Sequence, residues 1–129
     1  MHASLKISPK IGIFGVYWFK IMGGIDLVII AVIAANVLMS FKGFKDSQFF
    51  NKYKFEVSSI KAGDKIRVLS SGFLHVDPTH LFVNMLTLYF FASSVTSFLG
   101  TTGFLLVYFG SLIIGNLLSL YFHKEDYAY

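Results

Sequence analysis

The sequence predicts an all-α integral membrane protein with three transmembrane helices, and three observations carry that reading. The 129 residues are 55% hydrophobic, 18% aromatic and only 14% charged, whereas a soluble domain is about half apolar and roughly a quarter charged. Mean hydropathy is +0.66. The apolar residues gather in the runs 25–41, 79–97 and 104–122. Each approaches the ~20 residues that a helix rising ~1.5 Å per residue needs to cross a bilayer.

In residues 1–24, Lys6 and Lys10 precede the aromatic and aliphatic run 11–19. Lys20 interrupts that run and no small-residue cleavage site follows, so the segment reads as basic and interfacial rather than as a signal peptide. Gly23-Gly24 breaks the chain, and a single helical domain is expected over 25–129. Asp26 opens the first span as a first-turn residue, and Asn36 lies inside it. The long first loop, 42–68, holds seven of the eleven Lys and Arg, from Lys42 to Arg67, alternating with Phe44, Phe49, Phe50, Tyr53 and Phe55. Basic and aromatic residues beside a span meet lipid headgroups, so the expected partner is the lipid bilayer and not nucleic acid. Asp77 suits the N-cap of the second span and Pro78 its first helical position. That helix runs 79–97, Gly100 to Gly103 turn the chain, and the third span 104–122 ends in a polar tail. Ser111, Gly115 and Ser119 stand four apart on one helical face, with a weaker series in Ala92, Thr96 and Gly100. Such small faces let helix backbones approach closely.

No cysteine is present, which excludes disulfides, thiolate catalysis and Cys-based zinc sites. His75 and His80 are wrongly spaced for one helix face and have only Asp77 as a nearby carboxylate, so no metal or cofactor is expected. These two histidines and Asn84 lead straight into the second span. An unpaired polar group in hydrocarbon costs several kcal/mol, so groups kept there point to a functional site facing the bundle interior. With Asp77 as cap, His80 falls in the first turn and Asn84 one turn deeper on the same face, ~6 Å along the axis. The positive end of the helix dipole favours a neutral His80. A neutral imidazole and the Asn84 amide both donate hydrogen bonds, which suits a developing oxyanion. The spacing equally allows the two to satisfy each other, or a neighbouring carbonyl, as glue between helices. His75 lies off that face, ahead of the helix.

The residues Arg67-Val68-Leu69-Ser70-Ser71-Gly72-Phe73-Leu74-His75, then His80-Leu81-Phe82-Val83-Asn84-Met85 and Leu88-Tyr89-Phe90-Phe91, resemble the second-helix signature of the rhomboid intramembrane serine proteases. Phe104 to Tyr108 and Gly115 to Ser119 resemble that family's third helix. The resemblance covers Arg67 to Leu120 and implies a partial rhomboid-like helical bundle. It implies the N-terminal half of a serine endopeptidase that cleaves transmembrane protein substrates through a Ser–His dyad. By that resemblance, His80 and Asn84 bind the oxyanion, His75 sits beside the site, and Arg67 holds the first loop. The family's nucleophile lies in a G-x-S-G motif on a fourth helix and its base on a sixth. Neither occurs in these residues, so the reading is of a frame ending before the motif, inert by itself. Ile66 stands where the family commonly has Trp, and Ala92 where it commonly has Gly. The alternative is a non-catalytic rhomboid-like protein that holds client helices without cutting them. The family layout implies a multi-pass protein of the bacterial inner membrane with a cytosolic N-terminus. The basic residues, three before the first span and seven in the loop, favour the opposite orientation.

Overall fold

The computed structural model describes residues 27–129; the expected interfacial segment 1–24 and Asp26 lie outside them. The described residues form α1 (Leu27–Lys45), α2 (Ser47–Tyr53), α3 (Val57–Lys61), α4 (Arg67–Ser70), a 3-10 turn (Ser71–Phe73) and α5 (Pro78–Phe122), with no strand among them. Helix α1 runs past the expected end at 41. Lys42 and Lys45 occupy its last turn, where ammonium groups complement the carbonyl end of the dipole. Asp46 then starts α2, its Oδ1 accepting from the backbone N–H groups of Gln48 at 3.0 Å and Phe49 at 3.1 Å.

Helix α5 opens with Asp77 Oδ1 accepting from the His80 N–H at 2.7 Å and Pro78 in the first turn. It continues for 45 residues. Drawn straight, it would reach ~67 Å, about twice a bilayer's hydrocarbon thickness. It is not straight. Gly100 has φ 71° and ψ 177°, a backbone that only glycine adopts at little cost. The far end returns to the side it left. The Val57 N–H donates to the Tyr129 carbonyl at 3.0 Å, and Lys61 Nζ donates to the Lys124 carbonyl at 2.7 Å. The run therefore consists of two arms, 78–99 and 101–122, and the expected four-residue turn contracts to one non-helical glycine.

The contact between α1 and both arms is made by Ile29 and Val32 of α1, Ala92 of the first arm and Phe104 of the second. Ile33, Leu88, Val95, Leu105 and Tyr108 pack around them. Ala92, from the weaker small-residue series, is at this contact. The series Ser111, Gly115, Ser119 is not: Ser111 and Gly115 are exposed, and a Cβ built on Gly115 would meet nothing within 4 Å. At that level Leu112 and Asn116 reach the α4 and 3-10 segment instead, so no helix backbone lies against the small face among the described residues.

Helix α1 and helix α5 are each long and apolar enough to cross a membrane, with mean hydropathies of 2.1 and 1.9 in their most apolar windows. Only 22% and 6% of those windows is buried, and Leu38, Phe90, Phe98, Leu106 and Ile114 are all exposed. The core helix of a soluble protein hides such side chains. Here the apolar surface faces outward, as in lipid, where helices are held by close packing and hydrogen bonds rather than by exclusion of water.

Candidate functional site

The site is built where the first loop meets the head of α5. Arg67, 8% exposed, secures the loop. Its Nη1 donates to the carbonyls of Asn51 at 2.7 Å and Lys54 at 3.1 Å. Its Nε pairs with Asp64 Oδ2 at 2.8 Å, and Glu56 Oε2 lies 3.4 Å from Nη1. The planar fork reaches all four partners, which a lysine ammonium could not do from one position. Ser70 Oγ adds a bond to the Tyr53 carbonyl at 2.9 Å. Asn116 of the second arm donates to the Val68 carbonyl at 2.7 Å and to Ser71 Oγ at 3.0 Å.

Gly72 lets the 3-10 turn rest on the second arm, since a Cβ there would stand 2.1 Å from Leu112 Cδ1. This approach leads the chain past Phe73 to His75, which is 6% exposed. Ser40, fully buried on α1, holds both: its Oγ donates to the Phe73 carbonyl and lies against His75 Nδ1, each at 2.9 Å. The His80 ring stands nearly perpendicular to that of His75 at 5.2 Å between centroids. Burial pushes the His75 imidazole below the ordinary histidine range, and the neighbouring His80 adds to this; the Phe73 carbonyl acts the other way.

Beside these groups lies a cavity of about 400 Å³, lined among others by Asn36, Gly72, His75, Asn84, Met85 and Tyr108. The structure thus brings His75 and Asn84 to one cavity, and leaves His80 exposed against the His75 ring. His75, expected merely beside the site, is its most buried histidine. Among the described residues the Asn84 amide forms no hydrogen bond. Two N–H donors facing a partly apolar cavity are equipped to receive a carbonyl oxygen. Asn36 and Tyr108 complete the lining, with Asn36 Nδ2 donating to the Tyr108 hydroxyl at 2.8 Å and to the Val32 carbonyl at 2.9 Å. Neither was assigned a role from sequence. The signal for Asn36 was a lone amide in an aliphatic span, which needs an internal partner; Tyr108 carried none. Among the described residues no group of three or more His, Asp or Glu is placed to hold a metal ion.

A membrane-embedded helical protein with a mainly apolar cavity, bordered by His75 and Asn84, at the head of a spanning helix is the class that this fold and site define. The family model of the rhomboid domain matches residues 62–129, more than half of the chain. The chain belongs to the rhomboid family. RHOMBOID-like protein 12, mitochondrial, of Arabidopsis thaliana is 28% identical over 108 residues, which is 83% of this chain and 32% of that protein. Rhomboid protein 1, mitochondrial, of Saccharomyces cerevisiae is 40% identical over 60 residues, 46% of this chain and 17% of that protein. A Bacillus subtilis protein named as a candidate rhomboid protease, YdcA, is 37% identical over 67 residues, 52% of this chain and 34% of that protein. The chain thus spans about a sixth to a third of the length of these relatives. No solved structure matches it.

Proposed function

We propose that these residues form the oxyanion-binding part of a rhomboid intramembrane serine endopeptidase, which cleaves transmembrane segments of membrane proteins. The observation that carries the proposal is the Asn84 amide, unpaired among the described residues, lining a cavity shared with His75 one turn below His80. In this reading α1 and the two arms of α5 each cross the bilayer, and the loop and tail share one face of it. By the family's layout the N-terminus is cytosolic, and the membrane of this proposal is a bacterial inner membrane.

The chemistry follows from where charge develops. A serine hydroxyl attacks the scissile carbonyl, its proton passing to a histidine base, and the carbonyl oxygen gains negative charge. Asn84 supplies N–H donors to that oxygen from the cavity wall and His80 from beside it, at shallow depth, where a low dielectric strengthens each bond. The serine and its base would come from residues other than these 129, in the family's G-x-S-G loop and on a later helix. An acyl-enzyme then forms and is hydrolysed.

The coding sequence downstream of the Tyr129 codon tests this first: a G-x-S-G motif followed by a histidine two helices later is expected. In the protein so encoded, Asn84→Ala and His80→Ala should each lower the rate of cutting a membrane-spanning reporter by about 10²-fold, the usual effect of losing one oxyanion donor. Full cleavage by both variants would sink the assignment. A protein that lacks the motif and retains the reporter uncut would instead be the non-catalytic client binder. With no native cysteine, single cysteines placed at Lys45 and Lys124 read the topology. Labelling of both from outside the cytosol is expected; labelling of the Lys45 site only from the cytosol overturns the orientation.

A further inference from the structure

We infer that Ser40 is a positioning residue that fixes the His75 imidazole in its Nδ1–H tautomer, so that His75 presents a hydrogen-bond acceptor to the cavity and not a donor. This rests on the protease reading for its use and on hydrogen-bond bookkeeping for its substance. A serine hydroxyl carries one proton. Two groups lie 2.9 Å from Ser40 Oγ: the Phe73 carbonyl, which can only accept, and His75 Nδ1. If the hydroxyl proton goes to Nδ1, the Phe73 oxygen faces Ser40 Oγ lone pair to lone pair in a partly buried spot. If it goes to the carbonyl, Nδ1 must carry a hydrogen and donate to Oγ. Only the second arrangement satisfies all three groups, and buried polar groups are nearly always satisfied.

A doubly protonated ring would also donate from Nδ1. Burial and the adjacent His80 both oppose that charge, which leaves the neutral Nδ1–H form with a bare Nε2. Ser40 is not among the residues lining the cavity, whereas His75 is. The Nδ1 edge of the ring is taken up by Ser40, so the nitrogen left to serve the cavity is Nε2. Donor and acceptor are then divided: within the cavity Asn84 donates to a carbonyl oxygen, and His75 accepts an N–H. Together they offer both polarities of one peptide group. His75 as a third oxyanion donor is excluded by the same tautomer.

The test reads nitrogen protonation directly, on the 129-residue chain in lipid nanodiscs with ¹⁵N-labelled histidine, by long-range ¹H–¹⁵N correlation near pH 7.5. His75→Asn identifies the His75 signals by their loss. The expected spectrum has His75 Nδ1 protonated and Nε2 bare. Ser40→Ala should move the tautomer ratio about fivefold or more toward Nε2–H, as loss of one hydrogen bond predicts, while Ser40→Thr, which keeps the hydroxyl, should restore it. A bare Nδ1 in the unmodified chain overturns the inference, even if Ser40→Ala fails to fold. So does an unchanged ratio in a folded Ser40→Ala. The tautomer is measured without any cleavage, so a failed protease reading and a failed tautomer are separate results.

Discussion

Residues 46–77 and residues 78–122 are both mostly helical, yet they are held by different forces. The loop region hides a guanidinium and pairs it with two carbonyls and two carboxylates, and adds hydrogen bonds from Ser70 and Asn116 to backbone oxygens. Its helices α2, α3 and α4 have 7, 5 and 4 residues, too short to persist without such partners. The arms of α5 satisfy their own backbone and turn large apolar side chains outward. They need only a few close contacts, at Ala92, Phe104 and Gly72. The site lies at the seam, where a region with specified hydrogen bonds delivers His75 to a helix head that needs little help. The polar loop sets the position of His75, and a single serine on the spanning helix α1 meets its ring.

The sharpest way to break that contrast is Arg67→Ala. It strips a buried charge from four partners, and we expect a loss of about 3 kcal/mol of stability, discounted because both carboxylates are partly exposed. Denaturant unfolding in micelles would measure it, and Arg67→Lys should recover less than half, for lack of the fork. A smaller loss, about 1–3 kcal/mol, is expected of Gly72→Ala, which drives a methyl into Leu112. If the variant Leu112→Ala relieves that cost, close approach is the cause. Gly100→Val should cost about 1–2 kcal/mol through its positive φ alone, since no atom lies near its Cβ position. Asp77→Ala removes the cap at the head of α5 and should cost about 1 kcal/mol; amide exchange should quicken only in the first turn.

The pH dependence is smaller still. His75 has a lowered pKa in the folded chain, so the unfolded chain binds its proton more readily. Stability contributed by a neutral His75 is present above the ordinary value near 6.5 and declines as pH falls below it. The slope should flatten in His75→Asn, and equal slopes in the two proteins would show that other groups carry it. At the bottom of the scale, Ile114→Ala on the outward face should change stability by about 0.5 kcal/mol or less.

The helices of the arms were legible because their code is local. Asp77, Pro78, Gly100 and runs of apolar residues specify start, break and length through backbone sterics and capping, which neighbours in sequence supply. The long connection was legible as a basic and aromatic stretch with room for short helices, but the bounds of those helices were not, because each depends on partners far along the chain. The same distinction holds within the site. His80 and Asn84 were placed by helical periodicity, one turn apart. His75 was undervalued because its burial is made by Ser40, 35 residues away, and by a turn that Gly72 presses onto Leu112.

By itself, then, the sequence determined the membrane class, the family resemblance, the start of α5 at Asp77 and Pro78, and the break at Gly100. These follow from hydropathy, glycine and proline stereochemistry, and the 3.6-residue turn. Only the tertiary structure decided that His75 and Asn84 share one cavity while His80 stands outside it. It also decided that the Ser111 and Gly115 face stays open among the described residues, and that one buried hydroxyl settles which nitrogen of His75 carries the proton. Each of those depends on groups distant in sequence meeting within hydrogen-bonding or van der Waals range, and no local pattern encodes such a distance.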